Sequence, residues 1–316
     1  MSINTKERVA VCSRSFSKHP LLRAELLKRY AQVTFNDAGV QYSGDSLVGF
    51  LSGHDKAITA LEPIEESVLS RLPDLKVIGK YGVGLDMIDL DAMRRHGVHL
   101  GYTGGVNRRS VSELTIAFAI SLLRHLPQAN NEVRSGVWRQ HVGRQLSNCT
   151  VGIVGCGHIG KDLVKLLKPF GCKILIHDVQ EYPEFYAAHQ LAVVELNRLL
   201  IESDIVTLHV PLDHSTQGLI NAARIGTMKP TAILINAARG GLVDEIALKK
   251  ALIEKKLAAA AFDVFSIEPP QDAELLNLPN FFATPHIGGS AEEAILAMGM
   301  SAIDGLDQFA DSDRNA

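Results

Sequence analysis

Short apolar runs alternate along this chain with stretches whose hydrophobic residues recur at helical spacing. Up to about residue 104, Val9–Cys12, Gln32–Phe35, Lys56–Ala60, Leu75–Lys80 and Val98–Tyr102 predict strands, and Leu21–Tyr30, Asp45–Leu51, Glu65–Arg71 and Leu90–His96 predict helices between them. Strands separated by helices argue a small parallel α/β layer whose loops gather at the strand C-terminal ends. Beyond it, Val151–Val154, Lys173–His177, Ile205–Val210, Ala232–Asn236, Ala258–Phe262 and Phe281–Ala283 predict a second parallel sheet, with helical segments between most of them in the doubly wound manner. Ser110–Leu123 is too apolar for a helix with one exposed face and is expected between the two domains. Pro127 predicts a turn. Ser290–Phe309 predicts a last helix returning to the first layer, so the expected division is 1–104 with 287–316 against 105–286. The tail from Asp311 to Ala316 is expected to fray.

The first strand of the second sheet runs into Gly155-Cys156-Gly157-His158-Ile159-Gly160, a G-x-G-x-x-G turn opening a helix. The first glycine permits the bend, the second lets a pyrophosphate approach the backbone, and the third packs helix on strand. Leu163, Val164, Leu167 and Phe170 continue one helical face, and Gly171 closes it. Asp178 ends the next strand, roughly 20 residues on, where a carboxylate accepts hydrogen bonds from a ribose diol. Val179, Gln180 and Glu181 follow with no cation for a 2′-phosphate, which favours NAD over NADP.

Composition narrows the partners. A chain of 316 residues with net charge -3 has no basic excess for nucleic acid or an anionic membrane surface. No run reaches the ~20 apolar residues of a membrane span, and the start of the chain has no apolar signal-like segment. Cys12, Cys149, Cys156 and Cys172 are scattered without C-x-x-C spacing, so reduced thiols, no metal site and a cytoplasmic location are expected.

Three polar residues stand after apolar runs, where a doubly wound sheet collects its ligands. Arg239 precedes Gly240-Gly241, and its fork suits a carboxylate with a neighbouring carbonyl, although a capping arginine would look the same. His286 is either a structural histidine or a proton carrier working near neutral pH. Glu268 is either a turn carboxylate or the group that orients that imidazole and stabilises its charged form. In the first layer, Gly82-Val83-Gly84 offers backbone N–H groups to an anion, or is an ordinary turn. Asn130–Leu146, with the sole tryptophan, Trp138, among Arg134, Arg139 and Arg144, is either a dimer contact reaching a partner's site or a solvated helix with a half-buried aromatic.

Gly82–Asp86, Asn107–Leu114, Gly155–Gly160, Leu208–Pro211, Asn236–Gly240, Asp263–Pro269 and Thr284–Gly289 stand in the order seen in a known family. On those motifs the chain resembles the D-isomer-specific 2-hydroxyacid dehydrogenases, nearest the short 3-phosphoglycerate dehydrogenase-like branch, from about Leu75 to Ala294. The resemblance implies an NAD-binding Rossmann domain plus a smaller, discontinuous flavodoxin-like α/β substrate domain. It implies Arg239, Glu268 and His286 as the catalytic set, and Val83, Gly84 and Arg239 as substrate-binding residues. NAD would be held by Gly155, Gly157, His158, Ile159, Gly160, Asp178, Val210, Ala237, Ala238, Arg239, Asp263, His286 and Gly288, with Asp263 on the nicotinamide carboxamide. A homodimer that transfers hydride between NADH and a small 2-keto acid is expected. Two alternatives stay open: the phosphoglycerate dehydrogenase of serine synthesis, and an NADH-responsive corepressor-like binding protein. Ile58-Thr59-Ala60-Leu61 lacks the phosphate-binding arginines that phosphoglycerate dehydrogenases place there, and Met87 stands where many relatives have asparagine. Those departures favour an unphosphorylated acid, unless Lys80, Arg108, Arg109 or Arg139 supplies the missing charge. With the chain stopping near residue 316, regulation by an appended domain is not expected.

Overall fold

Strands of Val, Ile, Leu and Ala that are apolar on both faces need cover on both, which a parallel sheet flanked by helices provides. The computed structural model describes residues 3–309 and shows two such sheets, every pairing parallel. The first contains β1 (Asn4–Val11), β2 (Tyr30–Phe35), β3 (Lys56–Thr59), β4 (Val77–Lys80) and β5 (His99–Gly101) in the order β2-β1-β3-β4-β5. That is the flavodoxin-like order. The second contains β6 (Thr150–Val154), β7 (Lys173–His177), β8 (Ala192–Val193), β9 (Ile205–Leu208), β10 (Ile233–Asn236), β11 (Ala259–Phe262) and β12 (Phe281–Ala283). Its order is β12-β11-β10-β9-β6-β7-β8, the Rossmann arrangement with one added strand.

The chain divides into two compact units, one formed by the described residues up to Asn107 with those from Glu292 onward, the other by Arg108–Ala291. In the first, one face of the sheet packs Leu47, Leu51, Ile64 and Met93, while the other packs Phe16, Leu22, Ala302 and Ile303. Each of the larger buried side chains among these contributes roughly 1.5–3 kcal/mol relative to exposure. The closing helix, Glu292–Gly305, lies so near β5 that a Cβ on Gly101 would sit 1.9 Å from the Gly305 carbonyl oxygen. In the second unit, helix Arg108–Leu123 buries Phe118, Ala119, Leu122 and Leu123 beside Val151, Ile153 and Leu163. Val206, Leu208, Leu234 and Phe262 belong to the core on the sheet's other face.

Several elements differ from expectation for identifiable reasons. β8 pairs only two residues, both exposed, so no alternation announces it. Pro127 begins helix Leu126–Arg134 instead of breaking the chain, because a helix's first turn has N–H groups to spare. Tyr30 belongs to β2, since the helix before it, Pro20–Leu27, ends earlier than its apolar pattern. Phe170 leaves the buried face because helix His158–Leu167 tightens into a 3-10 turn before left-handed Gly171. The segment 311–316 lies outside the described residues.

Candidate active site

Strand order in the second sheet reverses between β6 and β9, the place where ligands collect beyond strand carboxyl ends. Gly155 follows β6 with φ 98°, and a Cβ there would come within 2.5 Å of the His209 carbonyl oxygen. A Cβ on Gly160 would meet the Gly155 carbonyl oxygen at 2.1 Å. Gly157, the cap of helix His158–Leu167, has nothing within 4 Å of its Cβ direction and makes no side-chain cap bond. The backbone at Gly157 is therefore open to close approach at the start of the helix, where first-turn N–H groups attract an anion such as a pyrophosphate. Asp178, just past β7, accepts hydrogen bonds from the Cys156 N–H and, at 2.8 Å, the Gln180 N–H. Burial pushes the Cys156 thiol up to about 11, so it stays protonated in this loop.

The other predicted residues occupy the same edge of the same sheet. Val210 follows β9; Ala237, Ala238 and Arg239 follow β10; Asp263 follows β11; and His286 and Gly288 follow β12. Asn236 shapes the turn after β10 by accepting from the Ala238 N–H and donating to the Arg239 carbonyl. Arg239 is half-buried and donates to the Ala238 carbonyl at 2.7 Å. His286 and Glu268 meet directly, with Nδ1 2.8 Å from Oε2. Glu268 is fixed in turn by the Phe265 N–H on Oε1 at 3.1 Å. With Nδ1 committed to a carboxylate, Nε2 is the imidazole nitrogen available outward, on a side chain 51% exposed. That arrangement suits proton exchange with a bound oxygen.

Residues that the sequence offered only as members of motifs, with no role, take part as well. Thr284 donates to Asp263, and Ser110 donates to the Gly288 carbonyl. Lone hydroxyls follow no periodicity, so only their place in the Asn107–Leu114 and Thr284–Gly289 motifs marks them. His209, noted only as part of a motif, places Nε2 3.0 Å from the Thr207 hydroxyl and leaves Nδ1 buried without a partner. Burial pushes this imidazole down to about 3.

In the first unit, Val83 and Gly84 follow β4 in a loop opened by Gly82 at φ 128°. Lys80 is buried at the strand end and donates to the Ala60 carbonyl. Of the other cations considered for a phosphate, Arg109 holds both oxygens of Asp162 at 2.9 Å, and Arg139 lies 3.5 Å from Glu132. Trp138 stands outside any helix and is 85% exposed, so the half-buried aromatic on a solvated helix does not describe it.

A doubly wound sheet, a glycine turn opening a helix and a carboxylate at the end of the next strand define a dinucleotide-binding protein. Residues 116–288 match the family model "D-isomer specific 2-hydroxyacid dehydrogenase, NAD binding domain". The chain belongs to that family and carries its NAD-binding domain. It is 40% identical over 239 residues to the D-3-phosphoglycerate dehydrogenase of Methanocaldococcus jannaschii, covering 75% of this chain and 46% of that one. It thus spans about half the length of the phosphoglycerate dehydrogenases it matches. The hydroxypyruvate reductase of Thermotoga maritima is 38% identical over 236 residues, 73% of this chain and 76% of that one. Among solved structures, the D-lactate dehydrogenase of Aquifex aeolicus complexed with NAD and lactic acid superposes with TM-score 0.80 at 27% identity, covering 95% of this chain and 93% of that one. No helix among the described residues is long and apolar enough to cross a membrane.

Proposed function

We propose that this protein is an NAD-dependent D-2-hydroxyacid dehydrogenase, working in the cytoplasm as a reductase of a small unphosphorylated 2-keto acid. The observation that carries the reading is the His286–Glu268 pair at 2.8 Å on the sheet edge that also bears the glycine turn. When bound, the nicotinamide supplies or accepts the hydride. Gly155, Gly157, His158, Ile159 and Gly160 accommodate the pyrophosphate, Asp178 takes the ribose diol, and Val210, Ala237, Ala238, Asp263 and Gly288 border the dinucleotide. In reduction, His286 gives a proton from Nε2 to the oxygen that becomes the hydroxyl; in oxidation it takes that proton back. Glu268 holds the imidazole at Nδ1 and stabilises its positive charge. Arg239 binds the substrate carboxylate and polarises the keto oxygen.

The unphosphorylated substrate is supported by the end of β3, where Thr59 is buried and Leu61 exposed, and by the commitment of Arg109 to Asp162. A homodimer is supported by Leu126, Val133, Trp138 and Val142, large apolar side chains at 49%, 52%, 85% and 95% exposure within one short stretch.

NADH oxidation against glyoxylate, pyruvate, hydroxypyruvate, 2-ketobutyrate, phenylpyruvate and 3-phosphohydroxypyruvate tests the reading. One of the unphosphorylated acids is expected to be preferred. Preference for the phosphorylated acid would overturn the substrate assignment. Tight NADH binding with no acid reduced would overturn the enzyme in favour of a cofactor-responsive binding protein.

A further inference from the structure

Asp263 is 1% exposed, and its carboxylate is met by donors from the loop that carries His286. Oδ1 accepts from the Thr284 hydroxyl at 2.5 Å and the Ile287 N–H at 2.8 Å, while Oδ2 accepts from the Gly288 N–H at 2.7 Å. Its main-chain carbonyl accepts from the His286 N–H at 2.9 Å. Gly288 is what permits this approach, since a Cβ there would lie 3.0 Å from Oδ2, and Ser110 secures its carbonyl at 2.6 Å from the other side. The residue these bonds surround, His286, has φ 54°, a left-handed backbone that is strained for any side chain with a Cβ. Strain of that kind persists only where neighbouring bonds over-determine it.

We infer that Asp263 is a positioning residue: with Thr284 and Ser110 it holds the left-handed backbone at His286 and so sets the imidazole on Glu268. This rests on reading His286 as the proton carrier, and it gives Asp263 a task other than binding the carboxamide. Both carboxylates come from one segment, 263–268; one fixes the backbone of His286 and the other its ring. A carboxylate has about four acceptor positions, and three are taken within the loop.

The test uses the full chain with Asp263→Asn, Thr284→Val and Thr284→Ser. Asparagine turns one acceptor into a donor facing an N–H, valine deletes one hydroxyl, and serine keeps it. In protein without cofactor, labelled at histidine and with the His286 ring signal assigned by its loss in His286→Gln, Glu268→Gln is expected to move that signal. The same change made on top of Asp263→Asn is expected to leave it unmoved, because ring and carboxylate no longer meet. An equal movement in both backgrounds would overturn the inference. This readout requires no turnover, so a wild type that reduces no 2-keto acid would defeat the proposed function and still leave the clamp tested.

In turnover, Asp263→Asn is expected to lower kcat about 100-fold with a smaller change in KM. The loss should be the same with NADH and with its reduced 3-acetylpyridine analogue, which has no amide N–H. A loss that disappears with the analogue would return Asp263 to cofactor binding. Should Asp263→Asn fail to fold, Thr284→Val is expected to cost about tenfold in kcat and Thr284→Ser to restore it. Equal rates for the two Thr284 variants would overturn the inference by themselves.

Discussion

Each unit buries charged side chains at strand ends, and two of them, Lys56 and Asp263, are satisfied in opposite ways. Lys56 opens β3 at 5% exposure; Asp263 follows β11 at 1%. The Lys56 ammonium meets Glu7 at 2.9 Å, Asp307 at 3.0 Å and the Tyr30 hydroxyl at 3.0 Å. Burial alone would lower its pKa, yet Glu7, Tyr30 and Asp307 outweigh it and hold the ammonium above its usual range. Burial, with the hydrogen bond to Asp307, pushes the Tyr30 phenol up to about 12. This network ties β1, β2 and β3 to the chain just after the closing helix. Asp263, by contrast, takes neutral N–H and O–H donors from a loop. At the amino end of a parallel sheet a buried ion fastens chain to chain; at the carboxyl end the same expense of desolvation fixes a loop that carries ionisable groups outward.

If that contrast is right, changes at the carboxyl end should cost turnover and changes elsewhere should cost stability. The largest effect is expected for His286→Ala, about 10²–10⁴-fold in kcat with the NADH fluorescence titration unchanged. Full activity would remove the proton carrier from the scheme. Lys56→Met strands Glu7 and Asp307 and is expected to cost about 3 kcal/mol in urea unfolding, toward the lower end for buried pairs because both carboxylates reach solvent. Its kcat per folded molecule should stay near wild type, and a parallel fall in kcat would erase the distinction between the two ends.

His209 sharpens the comparison through pH. Its folded pKa, pushed down to about 3 by burial, lies below the ~6.5 of an unfolded histidine. Between those values the unfolded chain takes a proton that the folded chain refuses, so stability falls as pH drops below ~6.5, by at most ~1.4 kcal/mol per unit. Melting temperatures from pH 8 to 5 should decline less steeply in His209→Gln; an identical slope would show that this imidazole accepts a proton in the fold. The smallest effect is expected at Asp178→Ala, about tenfold weaker NAD and a relaxed preference against NADP. An unchanged preference in paired titrations would mean that another group selects the ribose.

Much of this was legible because it is local. Short, mostly apolar runs rich in β-branched residues, such as Ile205–Leu208 and Ile233–Asn236, read as strands buried on both faces, and they are so in the structure. The glycine turn is local at Gly160, where a Cβ would meet the Gly155 carbonyl five residues back, whereas the atoms that exclude a Cβ at Gly155 belong to His209 and Val210 and arrive only with the folded sheet. The two-residue β8 escaped because an exposed pair has no period, and the helix at Pro127 because proline both stops helices and starts them.

The sequence by itself determined two parallel α/β layers, the dinucleotide turn and the residue types able to exchange a proton or bind an anion. Periodicity, glycine spacing and the order of motifs are properties of neighbours along the chain, so they survive without a fold. Tertiary structure alone decided that Glu268 meets His286, that Asp263 is consumed by the loop at Thr284–Gly288, and that Lys56 reaches Asp307. Those pairings join residues from different strand ends or distant segments. Only closing the sheet brings them within hydrogen-bonding distance, and only there does a buried charge acquire the partners that make it tolerable.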